Sequence, residues 1–285
     1  MKDKTILCVG GDSRMTYTAK ALSKNFRVCT YGITDDGQGT VVLPSLDAMS
    51  EKADMLILGI IRSKGLDVSV FRDKNVSCEK ISPLLKDRAV VIGGTMNPCM
   101  TEYFSSMGFR VCDYMKREEL VLRNTIPTAE GALEIALREL AITVRDSRCL
   151  IIGSGRVASA CADLFSAVGA VTDITARNKN ALAAFELRGC GAFELKQLGG
   201  RIGRYDLIIN TIPALILDGD TLALCSKKCL IIDLASKPGG TDFEAGKGLG
   251  LRCIHALGLP GKCAPVTAGE MIAKTAVSIL NESGE

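Results

Sequence analysis

The stretch CLIIGSGRVASACADLF, residues 149–165, decides the fold. A short apolar run leads into Gly153-Ser154-Gly155-Arg156-Val157-Ala158, and an Ala-rich segment with helical spacing follows. This is G-x-G-x-x-G/A set between a strand and a helix. Gly153 permits the tight turn, Gly155 lets backbone approach a pyrophosphate, and Ala158 lets the helix pack closely on the sheet. The pattern is weak alone, and a merely structural glycine turn is the competing reading. Strand, helix and a second strand at the expected distance agree with a dinucleotide-binding unit.

That second strand, AVTDITA (170–176), ends in Arg177-Asn178-Lys179, where an NAD enzyme usually carries an acid for the ribose hydroxyls. A cation there favours a 2′-phosphate, so the expected cofactor is NADP, with NAD as the other candidate. Solvated loop charges are the bland alternative, and Asp173 stands nearby. Two later strand ends, Asn210-Thr211-Ile212-Pro213 and Asp233-Leu234-Ala235-Ser236-Lys237-Pro238-Gly239-Gly240, supply small residues and free backbone groups suited to a flat ring. Expected cofactor contacts are therefore Gly153, Ser154, Gly155, Arg156, Val157, Arg177, Asn178, Lys179, Thr211, Ile212, Pro213, Leu234 and Ala235.

Apolar runs alternate with amphipathic stretches on either side of this region. Strands are expected at 5–11, 26–32, 54–60, 89–94 and 109–114, and again at 148–153, 170–176, 191–195, 206–212, 229–235 and 252–257, with helices in the gaps. Runs apolar on both faces imply parallel sheets covered on both sides. The fold class is α/β: two doubly wound, Rossmann-like domains with parallel sheets flanking a cleft. The expected division is a substrate domain over 1–123, a connecting helix over 124–146, a cofactor domain over 147–265, and a C-terminal helix over 266–285 packing back toward the first domain. In the connecting helix Pro127 reads as a start, with Leu133, Leu137, Leu140 and Val144 at helical spacing.

A chain of 285 residues suits two such cores. Its net charge of +3 is spread along the sequence, which argues against a nucleic-acid or membrane surface. The 12 Cys form no C-x-x-C pair and have one His to share, so no metal site is expected and the thiols read as reduced and cytosolic. The start MKDKTILCVGG lacks the apolar core of a signal peptide. In the first half, Gly10-Gly11-Asp12-Ser13-Arg14 lacks the third small residue of a nucleotide turn and suits substrate instead, with Arg14 as a carboxylate clamp. An Asp/Arg pair capping the next helix fits the spacing equally well.

Taken together, VGGDSR (9–14), NTIPTAEGA (124–132), LIIGSGRVA (150–158), DLIINTIPA (206–214), IIDLASKPGGTDF (231–243) and HALGLPGKCAPVTAGEMIA (255–273) resemble the family of dipicolinate synthase A subunits over nearly the whole chain. Cys263 is a small departure. The resemblance implies a sporulation enzyme in the mother-cell cytoplasm, with the flavoprotein-like B subunit of dipicolinate synthase as partner. It implies oxidation of a cyclic dicarboxylate to pyridine-2,6-dicarboxylate, with electrons passed to NAD(P). Such chemistry needs cations for two carboxylates and an aim at the nicotinamide. Ser13, Arg14, Arg62 and Lys262 are then the expected substrate contacts. His255, the lone histidine, is a candidate base, and Lys237 and Asp12 compete with it. Two rivals stand: a dehydrogenase of alanine, shikimate or a 2-hydroxy acid, and a nucleotide-binding protein that only activates the B subunit. Homo-oligomer formation stays open.

Overall fold

The computed structural model describes residues 4–34, 37–70 and 75–282, so the outermost ends of the expected first domain and last helix, 1–3 and 283–285, lie outside the described residues. The chain divides into two units. One comprises residues 1–124 and 264–285, the other 125–263.

The first unit holds β1 (Thr5–Val9), α1 (Ser13–Ser23), β2 (Arg27–Tyr31), β3 (Val41–Val42), β4 (Ala53–Ile60), β5 (Asp67–Val68), β6 (Val76–Ser77), α2 (Cys78–Ile81), β7 (Leu85–Gly94), α3 (Pro98–Ser106) and β8 (Arg110–Asp113). Among the described residues its main sheet is six-stranded and parallel, in the order β3-β2-β1-β4-β7-β8. Every residue of β1 is buried, as expected of a strand covered on both faces. Two gaps that the sequence pattern assigns to helices are filled otherwise. The Gly- and Pro-bearing stretch 37–52 gives the edge strand β3, a 3-10 turn at Leu46–Ala48 and irregular chain, and the described residues of 61–84 give the antiparallel pair β5–β6, the single turn of α2 and a 3-10 turn at Ser82–Leu84. Neither stretch carries an apolar face at helical period, so nothing holds a helix on the sheet.

The helix α4 (Glu118–Glu139) runs through the boundary at residue 124. It corrects the expected span of 124–146: it starts at the acidic pair Glu118-Glu119, which favours a helix N-terminus, and Pro127 lies inside it. In the second unit its packed face only partly follows the leucine stripe, with Leu133 and Leu140 half-buried against the core. Ala129, Ala132, Ile135 and Ala136 enter the core, while Leu137 is 65% exposed and Val144 is buried beyond the helix end. Small residues permit close helix approach, and a leucine spacing alone does not report it.

The second unit continues with β9 (Arg148–Ile152), α5 (Arg156–Ala167), β10 (Val171–Ala176), α6 (Lys179–Glu186), β11 (Gly191–Glu194), β12 (Leu207–Asn210), α7 (Gly219–Ala223), β13 (Leu230–Asp233), α8 (Phe243–Gly248), β14 (Arg252–His255) and α9 (Leu259–Cys263). Its six parallel strands follow the order β11-β10-β9-β12-β13-β14, the same winding as the first sheet. Both faces are apolar: Cys149, Ile151, Leu207, Ile209, Leu230 and Ile232 pack on one side, Leu150, Ile152, Ile208 and Ile231 on the other.

The last helix, α10 (Pro265–Asn281), belongs to the first unit. It buries Ile272, Ala273, Ala276, Ile279 and Leu280 with Ile6, Cys8, Met15 and Leu22. Gly269 sets its distance from α1: a Cβ there would stand 2.5 Å from the Arg14 carbonyl oxygen and 2.9 Å from the Thr18 nitrogen. The Thr18 hydroxyl donates to the Gly269 carbonyl at 3.0 Å. Among the described residues no helix is long and apolar enough to cross a membrane. Gly269→Ala is expected to push the two helices apart and to cost about 1–3 kcal/mol in denaturant unfolding. An unfolding curve matching the parent would contradict this contact.

Candidate functional site

At the carboxyl end of the second sheet, one register row runs across five strands: Thr175, Ile152, Asn210, Asp233 and His255. The glycine turn opens beside it. The Gly153 N–H donates to the Thr175 carbonyl at 2.9 Å, and Gly153 adopts φ +121°, which L side chains rarely take. A Cβ there would also lie 2.2 Å from the Thr211 Oγ1, whose hydroxyl donates to the Ile152 carbonyl at 2.9 Å. Gly155 differs. Its φ of −84° suits any residue, and a Cβ would meet nothing within 4 Å. It is the N-cap of α5, and no side chain caps that helix, whereas Asn178, Asp218 and Asp242 cap α6, α7 and α8. Ala158 is fully buried against the sheet. Open space before a helix start whose amides no side chain covers is a cradle that a Cβ would fill, and it fits a pyrophosphate.

The predicted cofactor contacts divide by what already holds them. Ser154 and Val157 are half-buried beside the turn and Arg156 is exposed. Arg177 is exposed and makes no ion pair among the described residues, which leaves its charge available. The Asn178 side chain is committed to the Asn180 and Ala181 amides, and Lys179 pairs with Glu194 at 3.2 Å. Asp173 faces Arg204 and the Tyr205 hydroxyl.

The loops carrying Thr211, Ile212, Pro213, Leu234 and Ala235 are tied by two side chains that the residue-type reading passed over. Asn210 and Asp233 are both completely buried. The Asn210 Nδ2 donates to Asp233 Oδ1 (3.0 Å) and to the Ile212 carbonyl (3.0 Å), and its Oδ1 accepts from the Ile212 N–H (3.2 Å). Asp233 Oδ1 accepts from the Ala235 N–H (2.9 Å), and Oδ2 from the Gly240 N–H (2.8 Å). The signal was present as a polar residue ending each of two wholly apolar strands.

His255 closes the row. Its Nε2 lies 3.2 Å from the Ala235 carbonyl, which can only accept, so in the neutral ring the proton sits on Nε2 and Nδ1 carries the lone pair. Its ring stacks on Phe243, centroids 5.1 Å apart. Lys237 and Lys262 are exposed on the loop after β13 and on α9. Among the described residues no group of three or more His, Cys, Asp or Glu is placed to hold a metal ion.

The first unit treats its own glycine turn differently. The Gly10 N–H donates to the Tyr31 carbonyl at 3.0 Å, as Gly153 does to Thr175, but residues 68–70 cover the turn. A Cβ on Gly10 would lie 2.3 Å from the Ser69 carbonyl oxygen, and one on Gly32 the same distance from Val70 Cβ. Asp12 caps α1 and holds Arg14, whose Nε donates to Asp12 Oδ1 at 2.8 Å; Ser13 begins the helix. The arginine is 6% exposed. A substrate carboxylate at Arg14 would have to share it with Asp12. Burial pushes the Asp12 carboxyl up, but the hydrogen bonds and charge of Arg14, with Arg62 behind them, hold it below the usual range. Arg62 is exposed beyond β4.

Residues 5–115 match the family model for the N-terminal domain of the dipicolinate synthase A subunit. The A subunit of dipicolinate synthase from Bacillus subtilis (strain 168) is 29% identical over 284 residues, 97% of this chain and 96% of the relative. The solved A subunit from Bacillus halodurans superposes with a TM-score of 0.88 at 29% identity, covering 97% of each chain. The chain is thus similar to dipicolinate synthase A subunits over nearly its whole length, and residues 5–115 match the model for their N-terminal domain. At the level of fold alone, transhydrogenase from Sinorhizobium meliloti (TM-score 0.74, 18% identity, covering 97% of this chain and 93% of that one) and an L-alanine dehydrogenase (0.65, 13%, 99% and 90%) share the architecture of this dipicolinate synthase relative.

Two expectations follow from the geometry. Gly153→Ala is expected to cost about 1–3 kcal/mol in unfolding, because the backbone conformation itself is strained for alanine, while Gly155→Ala stays within about 1 kcal/mol of the parent. Equal losses would contradict the distinction. Because the Asp12 pKa is depressed on folding, its contribution is present above about pH 4 and is lost as pH falls through the folded value. Asp12→Asn is expected to remove that part of the acid dependence, read from unfolding midpoints across the pH range.

Proposed function

We propose that this chain is an NADP-linked oxidoreductase that oxidises dihydrodipicolinate, or its hydrated tetrahydro precursor, to pyridine-2,6-dicarboxylate, as the A subunit of a dipicolinate synthase. One observation carries the cofactor half of this reading: the open space at Gly155, before a helix start that no side chain caps. The similarity to dipicolinate synthase A subunits supports the substrate class. A bound nicotinamide supplies a hydride acceptor. Gly153, Ser154, Gly155, Arg156 and Val157 hold the pyrophosphate, Arg177 meets a 2′-phosphate, and Thr211, Ile212, Pro213, Leu234 and Ala235 form the floor beneath the ring. Asn178 and Lys179 contribute through loop shape, since their side chains are already bonded.

Aromatisation removes a hydride and a proton, with loss of water besides when the hydrated precursor is used. His255 receives the proton on Nδ1, because Nε2 faces the Ala235 carbonyl and the Phe243 stack fixes the ring. Lys237 and Lys262 answer the substrate carboxylates from this unit. In the first unit Arg62 is the exposed cation beside the Asp12–Arg14 pair, with Ser13 next to it. The family also implies the flavoprotein-like B subunit of dipicolinate synthase as partner and the mother-cell cytoplasm as the place of action.

The deciding assay follows ultraviolet absorbance of pyridine dicarboxylate when the product of dihydrodipicolinate synthase and NADP or NAD are given to this chain alone, then with the B subunit. Product with matching nicotinamide reduction from this chain alone is expected. Product only in the presence of both proteins would make this an activator of its partner, and none in either case would favour the dehydrogenases of like fold. Gly155→Val is expected to weaken NADPH binding at least about tenfold, or 1.4 kcal/mol. Arg177→Ala should weaken NADPH while sparing NADH, as measured by nicotinamide fluorescence titration. Equal weakening of both would remove the 2′-phosphate assignment.

A further inference from the structure

The row that ends the first sheet shows what this fold requires. There the residues are Tyr31, Val9, Leu58, Gly93 and Asp113, so the two strands that match β12 and β13 carry leucine and glycine in that row. The sheet forms without a polar pair at these positions. In the second unit the same places hold a carboxamide and a carboxylate with no exposed surface, an arrangement that burial penalises unless every group is bonded.

Every bond the pair makes reaches a loop already assigned to the cofactor. Asn210 grips both the N–H and the carbonyl of Ile212, and Asp233 grips the Ala235 and Gly240 amides. The Asn210–Asp233 bond then joins one loop to the other. The contact between loops is backbone-close, for a Cβ on Gly240 would stand 2.4 Å from the Ile212 carbonyl oxygen and 2.7 Å from that of Ala214. The path continues at both ends: through Thr211 to Ile152 and the space over Gly153, and through the Ala235 carbonyl to His255.

We infer that Asn210 and Asp233 are positioning residues that lock the 211–214 and 234–240 loops together, so that the glycine turn and His255 are held in one fixed geometry. The inference rests on the proposed oxidoreductase reading for its consequence in turnover, and on the hydrogen bonds alone for the lock itself. Neither residue has exposed surface to offer a substrate. An asparagine at 233 has one accepting oxygen where the carboxylate has two, so it sets an amide NH₂ against a backbone N–H and frees one of the two loop amides.

The test uses the 285-residue chain with Asp233→Asn and the milder Asn210→Ser. Amide hydrogen exchange, NADPH fluorescence titration and steady-state kinetics are measured on each. In Asp233→Asn, exchange at Ala235 and Gly240 is expected to quicken by about tenfold or more while β9 and β10 keep the parent rate. NADPH is expected to bind at least about threefold more weakly, and kcat to fall by more than KM rises. Asn210→Ser shows the same pattern at Ile212. Exchange that quickens uniformly across the unit, with nucleotide affinity unchanged, would overturn the lock. If the parent turns over no substrate, the oxidoreductase reading fails, and exchange and NADPH titration still decide the lock. If Asp233→Asn does not fold, Asn210→Ser is read by the same criteria.

Discussion

Parallel strands all finish at one edge, and each leaves a carbonyl and the following amides there with no ladder partner. How those groups are satisfied decides what each sheet can do. In the first unit, residues 68–70 lie over the ends of β1 and β2, and the Ser69 carbonyl accepts the Gly11 N–H. The Asp113 carboxylate takes the Thr95, Met96 and Met115 amides. In the second unit the loops are tied to each other by Asn210 and Asp233, and the space at Gly155 is left open. The same winding therefore gives one edge filled by its own chain and one edge with room for a ligand.

The thiols fit this division of labour. None of the 12 cysteines is in a disulfide, and most lie in the apolar layers, where burial pushes Cys225 up to about 11 and Cys161 up to about 12. At neutral pH those sulfurs are small hydrophobes and not nucleophiles. Ionisable chemistry in the second unit is left to the strand-end row, where His255 stands, and to Lys237 on the loop after β13.

The parallel sheets were legible because runs such as ILCV in β1 and CLII in β9 are apolar at every position, and no half-exposed strand reads that way. The glycine turn was legible because Gly153 and Ala158 answer to backbone and packing demands that few residues meet. The start of α4 was not, since Pro127 is as compatible with a first turn as with the interior of a helix whose preceding residues carry it through. The packed alanines of that helix were hidden for a related reason: exposed Leu137 outweighs Ala132 in any hydrophobic pattern. Among site residues, Arg14 beside Asp12 gave two readings of equal weight, and only coordinates show the guanidinium already bonded. Asn210 and Asp233 were visible as letters, but a bond between residues 23 apart along the chain leaves no local trace.

The placement of α10 bears on how the chain is made. The second unit is one continuous stretch of sequence. The first unit is not: its core of Ile6, Cys8, Met15 and Leu22 is closed by Ile272, Ala276 and Ile279, contributed by a helix that follows the whole second unit in the chain. Its early strands must wait with one apolar face uncovered while the intervening unit is translated, which reverses the usual order of amino-terminal domain first. The unit that begins first is closed only after the second has been made, and the interval between is when it most needs protection from association.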